Sequence, residues 1–253
     1  MAVEAGDMVR IGRLSGISAA ETKSSATDIV TEFDRASERV LVERIRAARP
    51  DDAIVGEEGA STSGTSGISW LIDPIDGTTN FVYGLPNWAV SIAAVDADGP
   101  VAAAVYAPVL GELFSARRGC GATLNDVTIT CGQLGNLSSA LVATGFSYLA
   151  DHRGRQAARL ALMMPHIRDV RRLGAASLDL CFVAMGRLDG YFEQGLGPWD
   201  LAAGQLIASE AGCSTGDFSG GAIRPAEVLV ANPLLFTELA ELINRSTAGN
   251  GAC

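Results

Sequence analysis

Hydrophobic and polar positions follow two different spacings along the chain, and these spacings predict both helices and strands. The stretch 31–49 carries apolar residues at helical spacing and stops at Pro50, which predicts an amphipathic helix. Short apolar runs bounded by turn residues predict strands. In the first half these strands lie at 53–56, 68–73, 88–95, 101–106 and 113–115, with a loop at 61–67.

The second half alternates between the two spacings. Strands are predicted at 140–144, 190–193 and 228–231, and helices at 153–164, 176–185, 201–211 and 233–243. Hairpin-like strands followed by alternating helices and strands indicate packed layers, an α/β (α+β) fold. We therefore expect two halves, 1–135 and 136–253, that together form one catalytic unit.

The composition is that of a globular protein without a membrane anchor. Of the 253 residues 48% are hydrophobic, enough for a substantial core, and no apolar run approaches the roughly 20 residues of a membrane span. Residues 1–21 carry scattered charges instead of the apolar segment of a signal peptide. The five cysteines form no CxxC pattern, which favours reduced thiols and a cytoplasmic location.

The formal net charge of −10 argues against nucleic acid as a partner. An acidic enzyme can still attract a phosphate ester if its carboxylates hold cations, because bound metal makes the site locally positive. His152 and His166 are the only histidines, and neither lies near a Gly-x-Ser-x-Gly elbow. These observations argue against a Ser-His or Cys-His hydrolase, and the chain has no Walker A or GxGxxG motif.

The segment 70–81, WLIDPIDGTTNF, carries the strongest chemical signal. Asp73 and Asp76 follow an apolar run, and Pro74 fixes its own φ angle and lacks an N–H, so we expect a bent, rigid loop after a strand. In such a loop the two carboxylates and the Ile75 carbonyl converge, and Mg²⁺ binds oxygen ligands of this kind. Taken alone, Asp-Pro and Asp-Gly are also ordinary turn dipeptides.

A phosphate-binding turn is predicted directly after these carboxylates. Gly77 allows the backbone to approach a ligand closely. The N–H groups of Gly77, Thr78 and Thr79 point outward if a short helix begins here, and an exposed helix start binds phosphate. Metal ligands next to a phosphate site indicate phosphoryl transfer.

Four further carboxylates are candidates, and each has an ordinary structural alternative. Glu57 lies in a glycine-flanked turn after a strand, where an acidic residue is often only solvated. Asp200 precedes an apolar helix and fits an N-cap. Asp34 fits the Ser/Thr-x-x-Asp/Glu capping pattern with Thr31. Glu193, alone at a strand end, is weak evidence by itself.

The whole segment 70–81 resembles, nearly residue for residue, the metal-binding signature of the inositol monophosphatase family of Mg²⁺-dependent, Li⁺-sensitive phosphatases. Other stretches are similar to further motifs of that family: 23–34, Gly-Glu-Glu-Gly at 56–59, Gly-Ala-Ala at 174–176 and Trp-Asp-Leu-Ala-Ala-Gly at 199–204. The resemblance spans the chain from Lys23 to the final helix. It implies a layered αβαβα sandwich, a homodimer, and a small phosphorylated polyol as substrate.

The resemblance also implies the metal ligands. Glu57, Asp73 and the Ile75 carbonyl would hold a first Mg²⁺. Asp73, Asp76 and Asp200 would hold a second, and Glu57 would reach a weaker third ion through water. The family pattern therefore implies two to three ions in each active site.

Catalytic and substrate roles follow from the same resemblance. Asp34 would accept a hydrogen bond from Thr78, whose hydroxyl receives the proton of the attacking water, with Glu57 beside it and Lys23 nearby. The residues expected to contact phosphate or the inositol ring are Asp76, Gly77, Thr78, Thr79, Gly174, Ala175, Ala176, Glu193 and Asp200.

Related activities share the metal motif and stay open. They are fructose-1,6-bisphosphatase, 3′-phosphonucleotide phosphatase and histidinol-phosphate phosphatase. Thr79, where histidinol phosphatases often have Lys, and Glu193 favour an inositol phosphate. A different possibility is a regulatory protein that keeps the fold and acts by binding partners, as some bacterial relatives do in transcription complexes.

The N-terminus departs from the family pattern. Only 22 residues precede Lys23, fewer than the family's usual first helix and loop. Gly6, Gly12 and Gly16 lie among them, and glycine is a poor helix former. We therefore expect a truncated, irregular or mispositioned first helix.

Overall fold

The computed structural model describes residues 1–16, 20–22 and 29–248. In these residues the helices are α1 (Ala2–Arg13), α2 (Glu32–Ala48), α3 (Thr78–Tyr83), α4 (Ala150–Met163), α5 (Ala176–Ala184), α6 (Pro198–Glu210) and α7 (Phe236–Ala248). The strands are β1 (Ala20–Thr22), β2 (Ile29–Thr31), β3 (Ala53–Gly56), β4 (Ser61–Thr62), β5 (Ser69–Asp76), β6 (Ala89–Asp96), β7 (Gly99–Ala107), β8 (Glu112–Arg117), β9 (Ala122–Leu124), β10 (Val127–Ile129), β11 (Leu141–Thr144), β12 (Asp169–Arg171), β13 (Gly190–Glu193), β14 (Ser214–Gly216) and β15 (Val228–Ala231).

The strands form two main sheets. The larger has the order β10-β9-β8-β7-β6-β5-β3-β4, and its only parallel pair among the described strands is β3 with β5. The smaller has the order β12-β11-β13-β15-β14, in which β11 runs parallel to both of its neighbours. β1 and β2 form a separate two-stranded ribbon.

Helices cover both sheets and fill the space between them. α1 and α2 pack on one face of the large sheet, α5 and α6 lie between the sheets, and α4 and α7 cover the small sheet. All nine residues of α5 are buried. A helix that is buried on every side belongs in such a central layer. The predicted αβαβα sandwich is therefore confirmed.

The first helix is regular, so the expectation of an irregular first helix was wrong. α1 runs unbroken through Gly6 and Gly12. A Cβ at Gly12 would lie 2.5 Å from the Phe33 ring, and one at Gly6 would lie 2.7 Å from the Tyr106 ring. Glycine at these two positions lets α1 pack closely against its neighbours, and this packing outweighs its poor helix propensity.

Asp73 to Asp76 is not a loop after a strand, as the sequence suggested, but the end of β5 itself. The pairing with β6 joins Asp73 to Ser91 and Asp76 to Ala89, so β5 has one extra residue there. Such a β-bulge leaves a residue outside the ladder and bends the strand. Proline, which cannot donate to a ladder, is tolerated at a bulge, and this explains Pro74 in an interior strand.

Candidate active site

Three carboxylates converge at the bulged end of β5. The residues are Glu57, Asp73 and Asp200. Each contributes one carboxylate oxygen, and these three oxygens lie within 4.8 Å of one another. Asp73 is only 1% exposed. Burial raises the pKa of Asp73 well above its usual range, and the charges of Glu57 and Asp76 raise it further. Because buried like charges destabilise each other, this oxygen-only cluster suits a hard divalent cation.

Backbone geometry holds Glu57 in the cluster. It follows β3, and its N–H donates to the Ile72 carbonyl of β5 at 3.0 Å. The turn is also held by Glu38 of α2, whose carboxylate accepts from the N–H groups of Glu58 and Ala60 at 2.9 and 3.0 Å. Sequence reasoning did not identify Glu38, because its distance along the chain gives no sign of this contact.

Asp200 approaches the cluster from α6. Pro198 begins the helix, so Asp200 lies in its first turn rather than at the N-cap, and its Oδ2 accepts from the Gly197 N–H at 2.7 Å. The neighbouring Trp199 carbonyl accepts from Ser91 Oγ of β6 at 3.2 Å. Burial raises the pKa of Asp200, with the charge of Asp76 as the next cause.

Asp76 connects the bulge to the start of α5. Its Oδ1 accepts from the Ala176 N–H at 3.2 Å, and its Oδ2 accepts from the N–H and hydroxyl of Ser177 at 2.7 and 2.5 Å. Burial raises its pKa to about 6 despite these hydrogen bonds. Oδ1 accepts only one of these bonds and keeps a further lone pair, so these contacts leave Asp76 able to bind a cation.

Thr78 and Asp34 form the predicted pair. The Thr78 hydroxyl lies 3.1 Å from Asp34 Oδ1 and 3.0 Å from the Ile75 carbonyl. Oδ2 of Asp34 accepts from the N–H and hydroxyl of Thr31 at 2.8 and 2.6 Å. Asp34 therefore completes the capping box of α2 and contacts Thr78 at the same time, as the sequence predicted for each contact. Lys23, the other residue expected in this segment, lies outside the described residues.

Gly77 is the N-cap residue directly before α3 and has φ = 89°, a conformation that favours glycine. A Cβ there would lie 3.0 Å from the Asn87 carbonyl and 3.1 Å from the Gly174 carbonyl. The next residues, Thr78 and Thr79, open the helix, where the first N–H groups have no partner within the helix. The predicted phosphate turn thus lies directly against the loop 174–176, the substrate loop, which is expected to contact the substrate.

Asn80 joins these two segments, and sequence reasoning assigned it no role. Its side-chain amide donates to the carbonyls of Asn87 and Leu173, at 2.5 and 2.7 Å. Leu173 precedes Gly174 in the substrate loop. Asn80 therefore holds the phosphate turn and the substrate loop in a fixed relation, although it does not line the cavity between them.

A cavity of about 290 Å³ collects these groups. Among its lining residues are the three clustered carboxylates, Ile75, Asp76, Gly77, Thr78, Gly174, Ala175, Ala176 and Glu193. Arg172 also lines it, and the sequence analysis assigned this residue no role. Of the predicted site residues that the structure describes, Asp34 and Thr79 are not in the cavity wall. Asp34 is completely buried behind Thr78.

The far wall of the cavity is acidic. Burial raises the pKa of Glu193 to about 7, and the carboxylate accepts a hydrogen bond from the Tyr191 hydroxyl. Asp179 of α5 lies in the same wall and is 2% exposed, and its Oδ1 has no hydrogen-bond partner in the described residues. Acceptors of this kind suit the hydroxyl groups of a polyol. Asp179 was missed because its position inside an apolar helix gave no functional signal.

Comparison with known proteins identifies the family. A model of the inositol monophosphatase family matches residues 2–248, nearly the whole chain. The chain belongs to the inositol monophosphatase family. This result confirms the resemblance that the segment 70–81 indicated, and with it the enzyme class, a phosphatase that hydrolyses phosphoric monoesters.

Individual relatives agree with this family assignment. Inositol-1-monophosphatase of Mycobacterium leprae is 47% identical over 207 residues, which cover 78% of this chain and 71% of that protein. Nus factor SuhB of Vibrio cholerae is 44% identical over 202 residues, covering 79% and 76%. The crystal structure of extragenic suppressor protein suhB from Bartonella henselae has a TM-score of 0.91 at 34% identity, covering 96% of this chain and 95% of that one.

The helices give no evidence of a membrane-spanning segment. Within the described part of the chain, no helix combines the length and apolarity needed to cross a bilayer.

Proposed function

We propose that this inositol monophosphatase family member hydrolyses inositol monophosphate to inositol and phosphate, with Mg²⁺ as cofactor. The observation that carries the proposal is the convergence of Glu57, Asp73 and Asp200 within 4.8 Å, in one cavity with Thr78 and Glu193. Cation ligands, a water-orienting hydroxyl and acceptors for ring hydroxyls thus surround one space large enough for a small ligand.

The residues present fit magnesium, because their donors are carboxylate and carbonyl oxygens. Glu57, Asp73 and the Ile75 carbonyl are the proposed ligands of a first ion. Asp73, Asp76 and Asp200 are the proposed ligands of a second, and Glu57 serves a weaker third ion through water. When bound, such ions lower the pKa of water and stabilise the attacking and leaving oxygens of an in-line displacement.

The chain's own groups orient the substrate and move the proton. The N–H groups at the start of α3, from Gly77 to Thr79, bind the phosphate oxygens. The Thr78 hydroxyl accepts the proton of the attacking water while Asp34, at 3.1 Å, accepts from that hydroxyl. On the other side of the cavity, Glu193 and the 174–176 loop bind ring hydroxyls.

Direct attack by water predicts inversion at phosphorus and no phosphoenzyme. A chiral phosphate ester hydrolysed in isotopically labelled water tests this step. Net retention would require a covalent intermediate and would overturn the mechanism. Li⁺ should inhibit by replacing Mg²⁺ near the leaving group, and inhibition is measured as phosphate release at fixed Mg²⁺.

The substrate is tested by phosphate release over a panel with Mg²⁺: inositol 1-phosphate, fructose 1,6-bisphosphate, histidinol phosphate and a 3′-phosphoadenosine compound. Inositol 1-phosphate should give the highest kcat/KM. Glu193→Gln should raise KM for inositol 1-phosphate and leave p-nitrophenyl phosphate, which has no ring hydroxyls, largely unaffected. Equal losses for both esters would show that Glu193 supports the scaffold instead.

A regulatory role is supported by one observation, the name Nus factor carried by the Vibrio cholerae relative. The full set of clustered carboxylates favours catalysis here, whatever second role the chain has. Asp73→Asn separates the two, because a binding role that survives loss of phosphatase activity does not depend on the metal site.

A further inference from the structure

The buried face of α2 changes from polar to apolar along the helix. Its first three buried residues are Asp34, Ser37 and Glu38, and the next two are Leu41 and Ile45. Spacings of three and four residues place all five on one side of the helix. Leu41 and Ile45 belong to the core that packs against the large sheet. The three polar residues need hydrogen-bond partners instead, because burying an unpaired polar group is costly.

Ser37 holds the bulge of β5. Its side chain is completely buried, and its hydroxyl donates to the Pro74 carbonyl at 3.0 Å. In the pairing of β5 with β6, Pro74 and Ile75 have no partner residue. A bulge disrupts the ladder locally, so β6 fixes this stretch of backbone less firmly than the rest of β5. The hydrogen bond from Ser37 holds the same stretch from the side of α2.

Glu38 holds the turn that carries Glu57. One carboxylate oxygen accepts from the Glu58 N–H at 2.9 Å, and the other accepts from the Ala60 N–H at 3.0 Å. Hydrogen bonds to an ionised acceptor are among the strong ones in proteins. A Cβ at Gly56 would overlap the Glu38 carboxylate, so glycine at this position leaves the room that the carboxylate occupies. The backbone on both sides of Glu57 is thus fitted to Glu38.

The three polar residues of α2 therefore contact three separate segments of the active site. Asp34 contacts Thr78 at the start of α3, 44 positions away in the chain. Ser37 reaches the bulge 37 positions away, and Glu38 reaches the turn after β3, 20 positions away. Residues of one helix keep fixed positions relative to one another, so α2 fixes the three segments relative to one another as well.

We propose that Ser37 and Glu38 are positioning residues for the cation site, through which α2 sets the separation of the Glu57 and Asp73 carboxylates. Neither Ser37 nor Glu38 lines the active-site cavity, and neither is a proposed ligand. Mg²⁺ demands near-ideal octahedral geometry, so its affinity depends on how closely the ligands are held in place. Hydrogen bonds behind metal ligands commonly supply this restraint. The inference rests on the proposed Mg²⁺-dependent function and adds to it the groups that hold the ligands.

Two variants test the proposal without changing a ligand. Ser37→Ala removes the donor to the Pro74 carbonyl, and Glu38→Gln replaces one acceptor oxygen by an amide group that cannot accept from an N–H. Calorimetric titration of Mg²⁺ into the metal-free protein should show a Kd about tenfold higher in each variant. The Mg²⁺ concentration for half-maximal phosphate release should rise by a similar factor. Saturating Mg²⁺ should restore kcat in both variants, because the ligands and the Thr78 hydroxyl are intact.

Ile45→Val is the matched control, because it removes a methyl group from the same buried face of α2 at a position outside the active site. It should lower the Tm through lost packing and leave the Kd for Mg²⁺ unchanged. A Kd equal to that of wild type in both Ser37→Ala and Glu38→Gln would overturn the proposal. An equal rise in Kd in Ile45→Val would overturn it too, since general loss of stability would then explain the effect. If no ester is hydrolysed, the proposed function fails, but the titration still decides whether α2 positions the cation ligands.

Discussion

The Asp76 carboxylate accepts hydrogen bonds from both the N–H and the hydroxyl of Ser177, 101 positions later in the chain. This contact joins the bulged strand β5 to the start of α5, the helix buried between the two sheets. The end of the large sheet that carries the proposed metal ligands and the 174–176 loop are therefore held as one unit. An enzyme that positions a phosphate against metal ions gains from such rigidity, because small displacements are costly in rate.

Ser177→Ala tests this contact between β5 and α5. The variant loses one buried hydrogen bond to a charged group, so we expect the free energy of unfolding to fall by about 1–3 kcal/mol. The Mg²⁺ concentration for half-maximal activity should also rise, because Asp76 is less well oriented. Urea unfolding and Mg²⁺ titrations measure the two effects. Ser63→Ala, at an exposed position, is the control, and equal behaviour of both variants would contradict the role of Ser177.

Asp73→Asn keeps the shape of the shared ligand and removes its charge. Activity should fall by at least about a hundredfold, since both proposed ions lose a ligand. The metal-free protein should become more stable, because burial and the charges of Glu57 and Asp76 already disfavour the Asp73 carboxylate. Phosphate release measures the expected loss of activity, and chemical unfolding in EDTA measures the expected gain in stability. Turnover near that of wild type at ordinary Mg²⁺ would refute the metal assignment.

Thr78→Ala removes the hydroxyl that bridges the Ile75 carbonyl and Asp34. We expect kcat to drop far more than KM changes, because the proton transfer matters mainly in the transition state. Thr78→Ser keeps the hydroxyl and should retain most of the activity. If alanine and serine give similar rates in steady-state kinetics, the hydroxyl has no part in the chemical step.

The metal-free protein should lose stability as pH rises, and Mg²⁺ should counteract this loss. Burial raises the pKa of Asp76 to about 6, above its unfolded value near 4. The folded state then binds more protons in this window, so the metal-free protein is more stable below it and loses stability as pH rises toward 7. Mg²⁺ binds the deprotonated carboxylates and should restore stability most at high pH.

The measurement is the Tm in EDTA and in Mg²⁺ at pH 5.5 and pH 8. The increase in Tm caused by Mg²⁺ should be larger at pH 8. Asp76→Asn should reduce the pH dependence in EDTA, since it removes one of the titrating groups. An increase in Tm that is the same at both pH values would contradict the proposed protonation of the cluster.

Two glycine substitutions in helices should have opposite signs. Gly12→Ala in α1 brings a methyl group 2.5 Å from Phe33, whose ring packs against Phe81 with 5.6 Å between centroids, and should destabilise the protein by about 1–3 kcal/mol. Gly154→Ala in α4 meets nothing within 4 Å and should stabilise it by about 0.5–1 kcal/mol. Chemical denaturation measures the change in the free energy of unfolding for each variant. If both variants are destabilised, the room available for a Cβ is not the deciding factor.

The sequence located the groups that are proposed to carry the chemistry better than the groups that hold them in place. One short segment contains Asp73, Asp76 and Gly77. Carboxylates and a glycine this close together already indicate a cation and phosphate site, so the sequence of this segment alone was sufficient to locate them. Glu38 and Asn80 act on backbone groups that only the fold brings close, 20 and 93 positions away in the chain. No periodicity or motif encodes such contacts.

The same limit explains the errors about local conformation. Glycines in α1 suggested a weak helix, but the facing rings of Phe33 and Tyr106, which decide the outcome, come from distant elements. Pro74 suggested a loop, but the neighbouring strand β6 continues to pair with β5 beyond it. In both cases tertiary packing overrode local propensity.

The bulge in β5 gives the site an oxygen that no point mutation can take away. The Ile75 side chain is buried against the core while its carbonyl lies 3.0 Å from the Thr78 hydroxyl. Replacing Ile75 by Val or Leu changes the packing and keeps that carbonyl. Deleting one residue at 74 or 75 would instead regularise the ladder, leave both aspartates in place and return the carbonyl to the sheet. The number of residues in this strand should therefore matter more for activity than the identity of the side chain at position 75.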